Sequence, residues 1–289
     1  MRKLIYIFVL LTGLISSCNN RKSDIDPDLE GRFRVEFSDS QVIDESKIDF
    51  YDFSSSLIYL KPGASFTPNK DGGTFEVFAN NERIYSGTIH PLYVSYLPQN
   101  SFINTSPSFY GNGVIHIGYT GNNDPRQDSR IVNVLKKKGQ YRAGLSCNIR
   151  SIAKNGAGKI TVILQLKNND VENVYYLDPE KMDFRLFHYF TNGLNLSNAS
   201  MQNFTPNIQA LQPSPWNSWK QEWFSLIRGN ETKIITLVYD KFDTIPAGAY
   251  TARFQFPGLS FQVKREDLYL NEARIWLGAI DISQTVSLK

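Results

Sequence analysis

The stretch ITVILQLKNN, residues 160–169, decides the fold class, because its apolar side chains recur at every second position. The residues that share one face are Ile160, Val162, Leu164 and Leu166. A period of two predicts a β-strand with one buried face. The run Asn168-Asn169-Asp170 then ends the strand, since Asn and Asp favour turns.

The same alternation recurs along the chain. In residues 32–37, Phe33, Val35 and Phe37 share a face, and residues 74–79 and 83–89 flank a predicted hairpin turn. Further strands are predicted over 113–119, 131–135, 174–177, 183–190, 233–239, 250–256 and 273–282. The 19 Phe and 15 Tyr also favour strands. Short strands separated by Gly, Pro and Asn predict an all-β fold of the sandwich type.

The domain organisation follows from the chain length and one turn. A chain of 289 residues has room for one large domain or two ordinary ones. Lys136-Lys137-Lys138-Gly139 is predicted to be a solvated turn between two units. We predict two β-sandwich domains, residues 31–138 and 139–289, and a single large sandwich is the alternative.

The first residues predict export of the protein. Arg2 and Lys3 form a basic start, residues 4–15 are apolar except for Thr12 and Gly13, and two serines then precede Cys18. This order is that of a secretory signal peptide. The apolar run is too short for a membrane span, which takes about 20 residues.

Ile15-Ser16-Ser17-Cys18 resembles the lipobox of bacterial lipoproteins. The resemblance implies that residues 1–17 are removed, that the Cys18 thiol receives a diacylglycerol and that the new amino terminus is acylated. Several acyl chains would then anchor the protein in the membrane more firmly than a single chain. Residues 18–30 lack apolar periodicity and are predicted to be a short tether.

The tether carries three acidic residues, Asp24, Asp26 and Asp28. They begin like a calcium loop, but Leu29 stands where such a loop needs Gly, so no metal site is predicted. The same acids resemble the signal that sends Bacteroidota lipoproteins to the cell surface. The resemblance implies a lipoprotein of the outer membrane, on its periplasmic or its cell-surface face.

The second half of the chain carries another resemblance. Its segments WFSL (223–226), GNETK (229–233) and IPAGAYT (245–251) look like an immunoglobulin-like domain of the intracellular proteinase inhibitor of bacilli. The resemblance implies immunoglobulin-like sandwiches, with Tyr250 packed at a sandwich corner. It also makes proteinase inhibition an alternative function.

The sequence shows no pattern typical of catalysis. His90, His116 and His188 form no metal-binding pair, and His188 is predicted to be a core or rim histidine of strand 183–190. The segment GLSCN, residues 144–148, begins like a nucleophile elbow but lacks the second Gly. Cys147 is therefore predicted to be a buried, unreactive thiol.

We accordingly predict no enzymatic activity and no cofactor. An enzyme that pairs Cys147 with a histidine is the least favoured alternative. The net charge of +3 gives no reason to expect nucleic acid as a partner.

Three of the four Trp lie in PWNSWKQEW, residues 215–223. The spacing of Trp216, Trp219 and Trp223 predicts one face of a short helix that follows a polar segment, residues 192–214. Exposed indoles can stack on sugar rings or anchor a protein partner, so Trp216 and Trp219 are candidate ligand-binding residues. The alternative is that they close the end of the sandwich core.

One further segment is a candidate for modification. Asp243-Thr244-Ile245 resembles the O-glycosylation site of Bacteroidota proteins, which implies a glycan on Thr244. Together these features predict a lipid-anchored envelope protein that acts as a binding or structural module for a protein or a glycan. An inhibitor or an accessory subunit of an envelope complex is the alternative, and the oligomeric state is left open.

The lipid anchor can be tested directly. Cys18→Ser removes the thiol that would be acylated, so we expect the variant to take up no fatty acid and to remain uncleaved. Labelling cells with an alkyne fatty acid measures this. Equal labelling of the wild type and the variant would contradict the lipoprotein prediction.

Overall fold

The computed structural model describes residues 31–69, 71–91, 93–94, 96, 98–105, 110–156, 158–191, 193–259, 267–271 and 273–289. The predicted signal peptide, the lipidation site Cys18 and the tether lie outside the described residues. Those three assignments stay predictions.

Strands dominate the described residues, which confirms the all-β sandwich prediction. The strands, numbered in chain order, are β1 (Phe33–Phe37), β2 (Val42–Asp44), β3 (Ile48–Asp52), β4 (Leu57–Leu60), β5 (Gly73–Ala79), β6 (Glu82–His90), β7 (Ser101–Asn104), β8 (Val114–His116), β9 (Gly118–Tyr119), β10 (Tyr141–Arg142), β11 (Leu145–Lys154), β12 (Ile160–Asn168), β13 (Val174–Leu177), β14 (Asn195–Ser197), β15 (Asn203–Phe204), β16 (Phe224–Ile227), β17 (Thr232–Tyr239), β18 (Gly248–Pro257), β19 (Tyr269–Leu270), β20 (Ala273–Ile275) and β21 (Ala279–Leu288). The helices are α1 (Ser129–Lys137) and α2 (Phe184–Phe190), with 3-10 turns at Pro125–Gln127 and Gln221–Trp223. No helix among the described residues has the length and apolar character needed to cross a membrane.

The first half of the chain forms two sheets. The first sheet has the strand order β2-β1-β5-β6-β7-β9, and the second has β10-β3-β4-β8. Phe33, Val35 and Phe37 of β1 are all buried, as the alternation predicts. The predicted hairpin is confirmed as β5 and β6, and the turn between them places Asn80 and Asn81 at φ of 52° and 63°. Asn tolerates this left-handed conformation better than most residues do.

The second half forms three sheets. The third sheet is β11-β12-β17, the fourth is β16-β13-β20-β19 and the fifth is β15-β14-β18-β21. The predicted strand over residues 160–167 is confirmed as β12, the central strand of the third sheet. Its apolar face is buried throughout.

Tyr250 occupies the corner position that the resemblance implies. The side chain is buried, and its hydroxyl donates a hydrogen bond of 2.8 Å to the carbonyl oxygen of Pro246, four residues upstream. A buried tyrosine that bonds back to the preceding backbone is the arrangement seen at immunoglobulin-type corners. The burial and the hydrogen bond of Tyr250 fit the predicted corner position, and the immunoglobulin-like assignment stays a prediction.

The buried side chains form two hydrophobic cores that share one sheet. The first core lies between the first and second sheets and includes Ile131, Val134 and Leu135 of α1. The second core belongs to the second half of the chain, yet it also contains four residues from strands of the second sheet: Phe50, Leu57, Tyr59 and Val114. All four residues of β4 are buried, because the strand has a core on each face. The division into domains 31–138 and 139–289 stays a prediction.

A buried ion pair joins the two halves. The guanidinium of Arg274 in β20 lies 2.6 Å from Asp52 of β3 and 3.6 Å from Asp170, which follows β12. Arg274 and Asp52 are 3% and 0% exposed. The Arg274 guanidinium carbon also lies 5.2 Å from the centre of the Phe50 ring. Burial acts to lower the pKa of Arg274, but the charges of Asp52, Tyr59 and Asp170 and the hydrogen bond with Asp52 together outweigh it, so the net direction is upward.

Hydrogen bonds hold both carboxylates of this cluster. Asp52 accepts hydrogen bonds from the amide and the hydroxyl of Ser54, and Trp276 donates its indole N–H to the same hydroxyl at 2.9 Å. Asp170 accepts hydrogen bonds from the amides of Ala143 and Gly144. A side chain at Gly144, whose φ is 71°, would collide with Asp52 and Ser54. Glycine therefore permits the close approach of the halves.

The strand prediction is wrong for two segments, which form helices in the structure. Residues 131–135 belong to α1, where the spacing of three and four between Ile131, Val134 and Leu135 buries one helical face. Residues 184–190 form α2, and the many apolar side chains of this segment hid the helical period. In both helices the preceding aspartate, Asp128 or Asp183, caps the first turn by accepting a backbone N–H.

Two other predicted strands are each divided in the structure. Residues 113–119 contain β8 and β9, which belong to different sheets. Residues 273–282 contain β20 and the start of β21, separated by a bend in which Gly278 has a φ of 98°. The long strand β11 was not predicted from the sequence, since Arg150 and Lys154 interrupt its apolar pattern.

The ion pair predicts a large effect of one substitution. Arg274→Ala leaves the carboxylate of Asp52 buried without its cation, so we expect a loss of about 3–5 kcal/mol in the free energy of unfolding. Urea unfolding of residues 31–289 measures it. Arg253→Ala, at an exposed position of β18, is the control and should change stability by less than about 0.5 kcal/mol. Similar values for the two variants would show that the ion pair does not join the halves.

Candidate binding surface

The tryptophan-rich segment lies in a long connection between β15 and β16. Residues 205–220, here called the Trp loop, contain no helix or strand, and the single 3-10 turn Gln221–Trp223 follows them. The predicted short helix through Trp216 and Trp219 is therefore wrong. The backbone N–H of Ser218 instead donates a hydrogen bond of 2.8 Å to the carbonyl of Pro215, which closes a turn at this point.

Backbone hydrogen bonds attach the Trp loop to the second half of the protein. Asn207 donates its N–H to the carbonyl of Lys241 at 2.8 Å, and Leu211 donates to the carbonyl of Arg185 in α2 at 3.0 Å. Ile208 packs against the second core, and Pro213 is buried. The loop is thus long but attached at several points.

The three tryptophans of this segment differ steeply in exposure. Trp223 is 6% exposed and meets Phe190 edge to face, with 6.1 Å between ring centres. Trp219 is half-buried and meets Phe224 edge to face at 5.8 Å. Trp216 is 55% exposed. Of the two candidate binding residues, Trp216 is thus exposed, whereas Trp219 is packed in part against the core.

Aromatic and charged groups surround this part of the surface. Tyr189 and Phe190, at the end of α2, are half-buried and contact each other at 5.4 Å. Lys220 and Glu222 form an exposed ion pair at 3.3 Å. Exposed aromatic area beside mixed charges is typical of a surface that binds a macromolecule.

The histidines contact different neighbours. His90 is buried against Tyr96 and Phe102, and the His116 ring contacts the Tyr110 ring. His188, which belongs to α2, lies close to Gly193. Burial lowers the pKa of His188, which fits the predicted core or rim position. No group of three or more His, Cys, Asp or Glu side chains suited to a metal ion occurs among the described residues.

Cys147 lies within the regular strand β11, opposite Leu166 of β12, so the comparison of residues 144–148 with a nucleophile elbow has no structural counterpart. Its side chain packs against the second core. Burial raises the pKa of the Cys147 thiol to about 12, which keeps the thiolate scarce at neutral pH. Cys147 is half-buried rather than fully buried, and its lack of reactivity stays a prediction.

The candidate modification site lies in the loop between β17 and β18. Thr244 is exposed, whereas Ile245 beside it is buried. The carboxylate of Asp243 accepts a hydrogen bond of 3.0 Å from the backbone N–H of Thr205. Thr244 is therefore accessible, and its glycosylation stays a prediction.

Sequence reasoning missed the fourth tryptophan and two tyrosines. Trp276 is fully buried at the junction of the halves, while Tyr93 and Tyr96 are 79% and 69% exposed. The alternation of apolar and polar residues gave no signal for these positions, because Tyr93 and Tyr96 lie in a loop. Prolines at 91 and 98 bracket that loop and were the available hint.

Neither a scan against models of known protein families nor a search of curated proteins gives a match to this chain. The geometry of the described residues is therefore the basis of the functional argument.

The exposure gradient predicts a graded effect on stability. Trp223→Ala should cost about 3–5 kcal/mol, as expected for a large buried aromatic side chain. Trp216→Ala should stay within about 0.5 kcal/mol, because the residue is at the surface, and Trp219→Ala should fall between the two. Urea unfolding measures all three. A large loss at Trp216 would instead assign that residue to the core.

Proposed function

We propose that this protein is a lipid-anchored binding module of the cell envelope and that the Trp loop contacts a protein or glycan partner. The observation that carries the proposal is the 55% exposure of Trp216 on a loop that is hydrogen-bonded to the folded body. An anchored loop presents its side chain without the full entropic cost of ordering a free segment.

The chemistry of the residue supports the same role. Tryptophan offers a large apolar surface and one N–H donor, and it is enriched among the residues that dominate binding energy. Trp219, held against Phe224, extends the aromatic surface inward from Trp216. Arg185, Lys220 and Glu222 provide charged groups suited to the polar rim of an interface.

The length of the predicted tether limits how far from the membrane such a partner would bind. Residues 18–30 span at most about 45 Å when fully extended, at about 3.3–3.6 Å per residue. A module held at this distance from the membrane would bind partners in the envelope. The raised pKa of the half-buried Cys147 thiol makes this residue a poor nucleophile.

A crosslinking pull-down from intact cells tests the proposal. The paired change Trp216→Ala and Trp219→Ala should reduce recovery of the partner about 30-fold, as expected for a hot spot worth about 2 kcal/mol. Met201→Ala is the control, because Met201 is 75% exposed and lies outside the Trp loop.

Equal recovery with the paired variant and with Met201→Ala would contradict the proposal. Digestion of the captured material distinguishes the two kinds of partner. Loss of the captured species after proteinase treatment identifies a protein, and loss after mild periodate oxidation identifies a glycan.

A further inference from the structure

We infer that the first half of the chain carries a second binding site, a pocket for a neutral saccharide at one end of β5 and β6. The cavity has a volume of about 480 Å³. The side chains that carry the argument are Asp71, Thr88, His90, Tyr96, Gln99 and Asn100. This site is independent of the Trp loop and goes beyond the proposed function.

An exposed tyrosine on a buried support is the main feature of the pocket. Tyr96 is 69% exposed, and its ring meets that of His90 edge to face at 5.4 Å. His90 is 7% exposed and also meets Phe102 edge to face at 6.4 Å. The packing of His90 therefore supports one side of Tyr96 and leaves most of the tyrosine open to a ligand.

Backbone interactions fix the walls of the pocket. β6 pairs with β7 beside His90, and Thr105 donates its N–H to the His90 carbonyl at 3.1 Å. On the opposite wall, Asp71 donates its N–H to the side chain of Asn69 at 3.1 Å. Gly72 lies close to the carbonyl of Ile89 and the ring of Pro91, at a φ of 94° that favours glycine. The site is therefore largely formed before a ligand binds.

The polar groups of the pocket fit the hydroxyl groups of a sugar. Gln99 and Asn100 each offer an amide donor and a carbonyl acceptor, Thr88 offers a hydroxyl, and Asp71 offers a carboxylate. The described lining residues include no Lys or Arg, the side chains that bind phosphate and carboxylate ligands. This chemistry favours an uncharged, hydroxyl-rich ligand over an anion.

The aromatic ring completes the match. A pyranose has an apolar C–H face as well as hydroxyl edges, so it can cover an exposed tyrosine while its hydroxyls reach the amides. The volume of the cavity falls in the range of small-ligand pockets, about 300–1,000 Å³. A proline-rich peptide also binds aromatic grooves, but it does not use a converging set of amides and a carboxylate.

Saccharide binding can be measured on the full chain, purified in a detergent without a sugar head group. The probes are neutral oligosaccharides of glucose, xylose, mannose and N-acetylglucosamine, and a decaproline peptide is the competing probe. Isothermal titration should show binding of at least one oligosaccharide and none of decaproline. Tyr96→Ala should weaken saccharide binding about tenfold, the scale of one lost aromatic contact.

Two control variants make the result specific. Tyr93→Ala removes a tyrosine that is 79% exposed in the same loop but does not line the cavity. The affinity of this variant for the oligosaccharide should stay within about twofold of the wild-type value. Trp216→Ala should also leave saccharide binding unchanged, which separates this site from the Trp loop. The inference is overturned if no oligosaccharide binds, if decaproline binds instead, or if Tyr96→Ala and Tyr93→Ala have equal effects.

Discussion

The buried ion pair between Arg274 and Asp52 is the interaction on which the arrangement of the two halves depends. It places a cation from the fourth sheet against a carboxylate from the second, at 2.6 Å and out of contact with water. Asp170 and Ser54 supply the surrounding polar contacts, and Gly144 leaves room for them. A buried charge without its partner is costly, so the pair couples the position of one half to that of the other. The second sheet also couples the two halves, because it contributes side chains to the core on each of its faces.

This framework presents two surfaces of different character. The Trp loop offers an exposed indole and mixed charges, which suit the macromolecular partner that we propose. The pocket beside Tyr96 contains an exposed aromatic ring and two amide side chains, which suit the small uncharged ligand that we infer. Under these two proposals the protein binds a saccharide and a macromolecule at separate surfaces. Both surfaces lie in loops attached to rigid sheets, where binding residues are commonly found.

The sequence was most informative where one face of a strand is buried and the other is exposed. The strands β1 and β12 were predicted because their side chains alternate cleanly, and β5 and β6 were predicted from the polar turn between them. The prediction from sequence failed where the spacing of apolar residues fits both a strand and a helix. Residues 131–135 and 183–190 are short apolar runs that fit a strand or a helix equally well, and only the capping aspartates Asp128 and Asp183 distinguish them. The Trp cluster shows the same limit, because helical spacing of three tryptophans also occurs in a segment that forms turns.

The sequence by itself determined the all-β class and the edges of the clearest strands, and it predicted a packed Tyr250 and a lipidation signal at Cys18 that stays a prediction. Each rests on local order along the chain: alternation, turn chemistry or a short signal. Only the tertiary structure decided that Trp223 is buried while Trp216 is exposed, that Arg274 meets Asp52 across 222 positions of sequence, and that Tyr96 stands over His90. These pairings depend on how sheets stack and loops fold back, and long-range contacts of that kind leave no periodic trace in a single sequence.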